Sequence, residues 1–192
     1  MSLYARDVRA LLEAVADPSP APGAGAVSAL VTAMAAGLIA SAARRSPGWA
    51  ESRGVSAQAE ALRARVEKLA EANEAAYLAA LALIDGAAET GGRNEAFGKA
   101  LDAAAELPLA IAECAYDVSL LGAETAEHAA SGGAEDASAA AMLAEAAARA
   151  AASLVAANLV SVPGDERVAQ AQRLAVAASD AARRAVAATA HS

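Results

Sequence analysis

Gly23-Ala24-Gly25 stands just ahead of a long uncharged run, and glycines at that spacing let backbone amides approach a ligand closely. At the start of a helix such amides lack internal partners, which makes an anion or carbonyl site. The same residues also suffice for a tight turn into a helix. No strand and third glycine accompany them, as a dinucleotide loop needs, and no Gly-Lys-Ser/Thr, as a phosphate loop needs. Asn73 interrupts an apolar register, where an amide can orient a ligand or fix how helices align. Asp136 follows "SGGAE" and can move a proton or balance a cation. In a helix's first turn it is equally suited to capping. Asn158, in "LVAANLV", needs hydrogen-bond partners if buried, whether in a pocket or in the scaffold. Arg44 and Arg45 can hold an anionic ligand or merely complement a helix C-terminus.

The remaining reactive residues lack partners. His128 and His191 are the two histidines and Cys114 is the one cysteine, so neither a zinc constellation nor an internal disulfide is expected. His128 reads as a surface residue near a helix end, and Cys114 as a small core residue. No metal site is expected.

These side chains must be held by helices. About a third of the 192 residues are alanine, the hydrophobic fraction is 57%, and only 3% are aromatic. The expected core is thin and Ala-lined, with Leu and Val as knobs. Net charge is −8 and no basic stripe occurs, which argues against nucleic acid as a partner. The N-terminus "MSLYARDVRALLEAV" is charged through its first dozen residues and lacks a signal-peptide core, so a cytoplasmic protein is expected.

Residues 18–43 carry no charge, and their length alone would permit a membrane span. The run opens with prolines and glycines and is mostly small residues, with Val27, Leu30, Val31, Met34 and Leu38 on one face. That pattern favours a buried central helix, with no membrane partner.

The punctuation predicts seven helices, within an all-α single-domain bundle of six to eight over residues 1–192. The first runs from a Ser2 cap to about Ala16, with Val8, Leu11, Leu12 and Val15 inward. The second spans about Gly25 to Arg45, and the third about Ser52 to Ala87. The stripe of the third is Val55, Ala59, Leu62, Val66, Leu69, Asn73, Ala76, Ala80, Leu81 and Ile84. A fourth, about Asn94 to Glu106, meets Pro108 in a kink or a boundary. The others cover about Pro108 to Ala130, Glu135 to Val160 and Asp165 to Ala188. Long amphipathic helices rich in small residues suggest a homodimer.

Two segments resemble a known family. "PAPGAGAVSALVTAMAAGLIASAA" is similar to the proline and triple-glycine entry of the cyclodeaminase/cyclohydrolase family, which includes the C-terminal part of formiminotransferase-cyclodeaminase and methenyltetrahydrofolate cyclohydrolases. "EDASAAAMLAEAAARAAASLVAANLV" resembles that family's Ser-Asp-Ala-Gly segment and the helix ending Asn-Leu, with the spacing from Asp136 to Asn158 retained. "EANEAAYLAAL" and "AAELPLAIAECA" match the segments between, so the resemblance runs from about residue 3 to 180.

The resemblance implies an all-helical dimer that binds a tetrahydrofolate derivative, as substrate and with no prosthetic group, in a cleft lined by the glycine loop. The chemistry would be cyclisation of 5-formiminotetrahydrofolate with loss of ammonia, or opening of a methenyl bridge by water. Pro22, Gly23, Gly25, Asp136 and Asn158 carry over by match, Asp136 as acid/base or stabiliser of an amidinium-like carbon. Departures fall at Ala24, Ala26, Arg44, Asn73, Tyr77 and Leu154. Arg44 would hold the glutamate tail, and Asn73 stands where the family has an acidic residue. These departures leave open an inactive helical dimer of the same scaffold that binds another ligand or a protein partner.

Overall fold

Asp7 starts the first helix by accepting a 2.8 Å hydrogen bond from the amide of Ala10. In this computed structural model α1 is Val8–Ala16, α2 Ala24–Arg44, α3 Ser52–Thr90, α4 Glu95–His128, α5 Gly133–Asn158 and α6 Glu166–Thr189. A 3-10 turn, Leu3–Ala5, precedes them, and no strand occurs among the described residues. The structure describes residues 3–18, 22–90, 95–130, 132–160 and 162–190, without the side chains of 83–99 and 101–103. Ser2, Asn94, Ser131, His191 and the side chain of Ile84, all invoked above, lie outside that description.

The all-α bundle agrees with the composition, and three details correct the sequence reading. The first helix starts at Val8, because Asp7 supplies the cap. Its apolar face is not inward: Val8 is 74% exposed and Leu12 65%, and Val15 is exposed too. Leu11 alone of the four packs against the core. The helices expected on either side of Pro108 are one continuous α4.

Alanine fills the interior as expected. Among the described residues it supplies 30 of the 41 buried apolar ones, and the large buried side chains, such as Ile39, Val66, Ile111, Val118 and Val155, are scattered among them. Small side chains let helices approach closely. A β-carbon on Gly122 of α4 would fall 2.9 Å from that of Ala141 on α5. Ser119 bridges the same region, its hydroxyl lying 3.2 Å from the carbonyl of Ala141 and 3.0 Å from that of Ala178.

α2 sits centrally against α3, α4 and α5. By length and composition α2 and α5 each suffice to cross a membrane. In α2 the buried side is made of small residues such as Ala29, Thr32, Ala36 and Ala43. The stripe from Val27 to Leu38 lies at the edge of this packing, with Val31 and Leu38 half-buried against the core and Met34 61% exposed. Along α3 the predicted stripe is the inward one: Val55, Ala59, Val66 and Ala80 are buried.

Candidate functional site

The glycine loop opens α2 without a side-chain cap. Gly23 is the N-cap residue in extended geometry, and the first helical bond runs 3.1 Å from the amide of Val27 to the Gly23 carbonyl. The amides of Ala24, Gly25 and Ala26 therefore have no acceptor within the helix, and the positive end of its dipole lies there.

A cleft of about 230 Å³ forms beside this end. Its walls are Gly23, Ala24 and Gly25 from α2; Asn73, Ala76, Tyr77, Ala80 and Leu81 from α3; Ala104 and Pro108 from α4; and Leu154 and Asn158 from α5. Four of the residues singled out in the sequence, Gly23, Gly25, Asn73 and Asn158, thus meet in one cleft. Pro22, a fifth, is buried immediately before the loop. Other hollows on the surface, such as those along α3 and α4 or along α5 and α6, are wider and shallow.

Each polar wall residue has a local reason for its place. The Asn73 side chain lies directly over Gly25, and it makes no hydrogen bond to another described residue, which leaves its amide for a ligand. Asn158 has a structural duty. Pro108 lacks an N–H, so the Ala104 carbonyl four residues earlier has no helical donor. Asn158 Nδ2 donates to that carbonyl at 3.1 Å. The bond lets α4 run through Pro108 unbroken and turns the Asn158 carboxamide toward the same end of the bundle as Gly23. Tyr77, 43% exposed, is the only ionisable side chain among the described residues that line the cleft. Its place one turn after Asn73 on the same face of α3 was the sequence signal for it.

Asp136 and Arg44 are elsewhere. Asp136 lies in the first turn of α5 and pairs with Arg45 just beyond the end of α2. On one helix, 22 residues separate it from Asn158, about 33 Å at 1.5 Å per residue. Within one chain the carboxylate and the cleft cannot meet. Arg44 is directed to Glu60 at 2.9 Å and to the Ser56 hydroxyl at 3.4 Å. Glu60 also accepts from Arg63, and these two guanidinium groups hold its carboxyl below the usual carboxylate range. Arg44 therefore does not reach the cleft that its proposed tail-binding role would require. The same end holds Trp49 stacked on His128, with ring centroids 5.4 Å apart. Ser46 ties α2 to α4 there by accepting from the Ala130 amide at 2.9 Å. His128 is exposed at the last position of α4, and Cys114 is fully buried, as the sequence indicated.

No curated protein sequence matches the chain. Among solved structures, the crystal structure of formiminotetrahydrofolate cyclodeaminase from Thermotoga maritima at 2.80 Å resolution superposes with a TM-score of 0.84 and covers 97% of this chain and 96% of that one. At 21% identity this is a likeness of fold. The formiminotransferase-cyclodeaminase family model matches residues 7–178, from the Asp7 cap through the glycine loop, the cleft walls and the first half of α6, and the chain belongs to that family.

Proposed function

We propose that the cleft binds the pterin end of a tetrahydrofolate one-carbon derivative and that the protein acts on it as a cyclodeaminase or cyclohydrolase. The observation that carries this reading is the convergence of the α2 amides, Asn73 and Asn158 from three helices onto one cleft. Family membership supports it, as does the activity named for the Thermotoga maritima protein.

A pterin presents ring N–H groups and a carbonyl on one edge. Carboxamides can both donate and accept along such an edge, and the free α2 amides favour an electronegative atom. The apolar walls Ala76, Ala80, Leu81 and Leu154 suit the ring faces. The cleft is smaller than the roughly 300–1,000 Å³ of sites that enclose whole drug-sized ligands. The ring end enters, and the aminobenzoyl-glutamate tail stays outside. Cyclisation joins N10 to the formimino carbon and expels ammonia; hydrolysis adds water to the methenyl carbon. Both pass through a carbon whose positive charge is shared with nitrogen, and both need a proton moved at nitrogen.

The test uses 5,10-methenyltetrahydrofolate. Its near-ultraviolet absorbance falls when the protein is added if the reaction is hydrolytic and grows in from 5-formiminotetrahydrofolate if it is a cyclodeamination, and in either case reduced folates raise the melting temperature. No turnover together with no shift from any reduced folate would overturn the proposal in favour of a non-catalytic scaffold.

A further inference from the structure

Asn158 is the cleft residue whose orientation the backbone decides. Its Nδ2 donates to the Ala104 carbonyl at 3.1 Å. A carbonyl only accepts, so the carboxamide nitrogen must be the atom turned to α4 and the oxygen the atom turned away. The reverse orientation would set two acceptors against each other. No side-chain nitrogen or oxygen among the described residues is buried without a partner. Asn158 Oδ1 accepts from no other described residue, and is therefore open to the cleft that Asn158 lines. The backbone beneath it is anchored. Leu159, the next residue, is 2% exposed and packs with Ala105 and Leu109 of α4, and its amide closes the last turn of α5 on the Val155 carbonyl at 3.1 Å.

The cause of the orientation lies in α4. In a helix without proline the amide four residues on would hold the Ala104 carbonyl, and the Asn158 carboxamide would be free to turn. Pro108 has no N–H and is fully buried against the same cleft. It leaves the carbonyl open, and the carbonyl in turn holds the Asn158 nitrogen. The α2 wall has the reverse polarity. Gly23, Ala24 and Gly25 open that helix without a side-chain cap, so the wall offers backbone N–H groups. Asn73, with no partner among the described residues, can donate or accept.

We propose that Pro108 is a positioning residue: through its missing N–H it fixes Asn158 as an acceptor, so that the cleft takes a ligand with an N–H for the α5 wall and an electronegative atom for the α2 wall. A lactam or amidine edge, with N–H beside C=O or a ring nitrogen, carries this pair of atoms. A carboxylate, a phosphate or a wholly apolar ring does not. The identity of the ring rests on the folate reading, since a tetrahydropterin has such edges.

The test separates the two duties of Asn158. Pro108→Ala gives the Ala104 carbonyl a backbone donor, so Asn158 is no longer needed there. Tetrahydrofolate, 5-formyltetrahydrofolate and 5,10-methenyltetrahydrofolate are titrated by calorimetry against the wild type, and the tightest is carried through the variants. Pro108→Ala alone should weaken binding about twofold, because a carboxamide free to take two orientations presents its oxygen half of the time. In that background Asn158→Asp, which can only accept, should restore wild-type affinity. Asn158→Leu, similar in size but without an acceptor, should weaken binding by about tenfold or more. With Pro108 in place, Asn158→Asp sets two oxygens face to face and should lower both the unliganded melting temperature and the affinity. Circular dichroism without ligand accompanies each variant. Where the Pro108→Ala/Asn158→Asp protein does not fold, the leucine comparison decides. Equal affinity of Pro108→Ala and Pro108→Ala/Asn158→Leu would make Asn158 purely structural. A folded Pro108→Ala/Asn158→Asp protein that binds as poorly as the leucine variant would make Asn158 a donor. Either result overturns the proposal while the wild type still binds folate. A wild type that binds none of the three folates defeats the folate reading and, with it, this inference.

Discussion

A β-carbon on Gly25 would fall 2.2 Å from Asn73 Oδ1 and 2.7 Å from its Cγ. Gly25 is therefore glycine because a carboxamide from another helix rests on its backbone. This contact sets the position of a cleft carboxamide that makes no hydrogen bond to another described residue.

Gly25→Ala should push the Asn73 carboxamide out of the cleft. Overpacking costs about 1–3 kcal/mol, offset by up to about 1 kcal/mol from alanine's better helix propensity. The net loss in urea unfolding is then small, while the melting-temperature rise caused by reduced folates disappears. Adding Asn73→Ala should recover the stability and leave the folate response absent. A Gly25→Ala protein that retains the full response would show that the amide is not used.

Asn158 and Pro108 should behave as a coupled pair. Asn158→Ala leaves the Ala104 carbonyl without its donor, at about 1–3 kcal/mol. Pro108→Ala restores a backbone N–H for the same carbonyl, so Asn158→Ala should cost less in that background. A double-mutant cycle by chemical denaturation measures the coupling. Strict additivity would mean that the carbonyl is served by something other than Asn158.

Burial pushes the Cys114 thiol up to about 11 from its ordinary 9.0. The fold thus holds the protonated thiol, and this contribution is full below pH 9 and is lost as pH rises from about 9 to about 11. Cys114→Ala should lose less stability than the wild type across that window, read from urea midpoints at successive pH values. At pH 8 the native thiol should resist a disulfide reagent that modifies it rapidly after unfolding.

How much of this was legible in the sequence depended on whether one chain segment carried the whole signal. The α3 stripe was, because its large apolar residues alternate with charges that can only face water, as Glu60, Arg63 and Glu67 do. The glycine loop was legible from its punctuation. α2 shows the limit: periodicity groups Val27, Leu30, Val31, Met34 and Leu38 on one face, but in a close-packed bundle the small residues take the inside. α1 misled for a similar reason, since an amphipathic pattern records that a face is apolar and not what covers it. The continuity of α4 could not be read locally, because the donor that compensates for Pro108 lies 54 residues beyond Ala104. The placement of Asp136 depended on helix direction, which no motif encodes.

The alanine interior inverts the usual pattern of mutational tolerance. In an ordinary core the damaging changes are truncations, which open cavities. Here most buried positions have nothing to truncate beyond a methyl, and a helix pair as close as Gly122 and Ala141 has no room for one more. Saturation mutagenesis of this protein should find its intolerant sites by added volume: Ala→Val and Gly→Ala changes along α4 and α5 are penalised more heavily than Leu→Ala changes at the rim. A lineage that keeps such a core is held to small residues by the spacing of its helices, and can vary freely mainly where side chains already reach solvent.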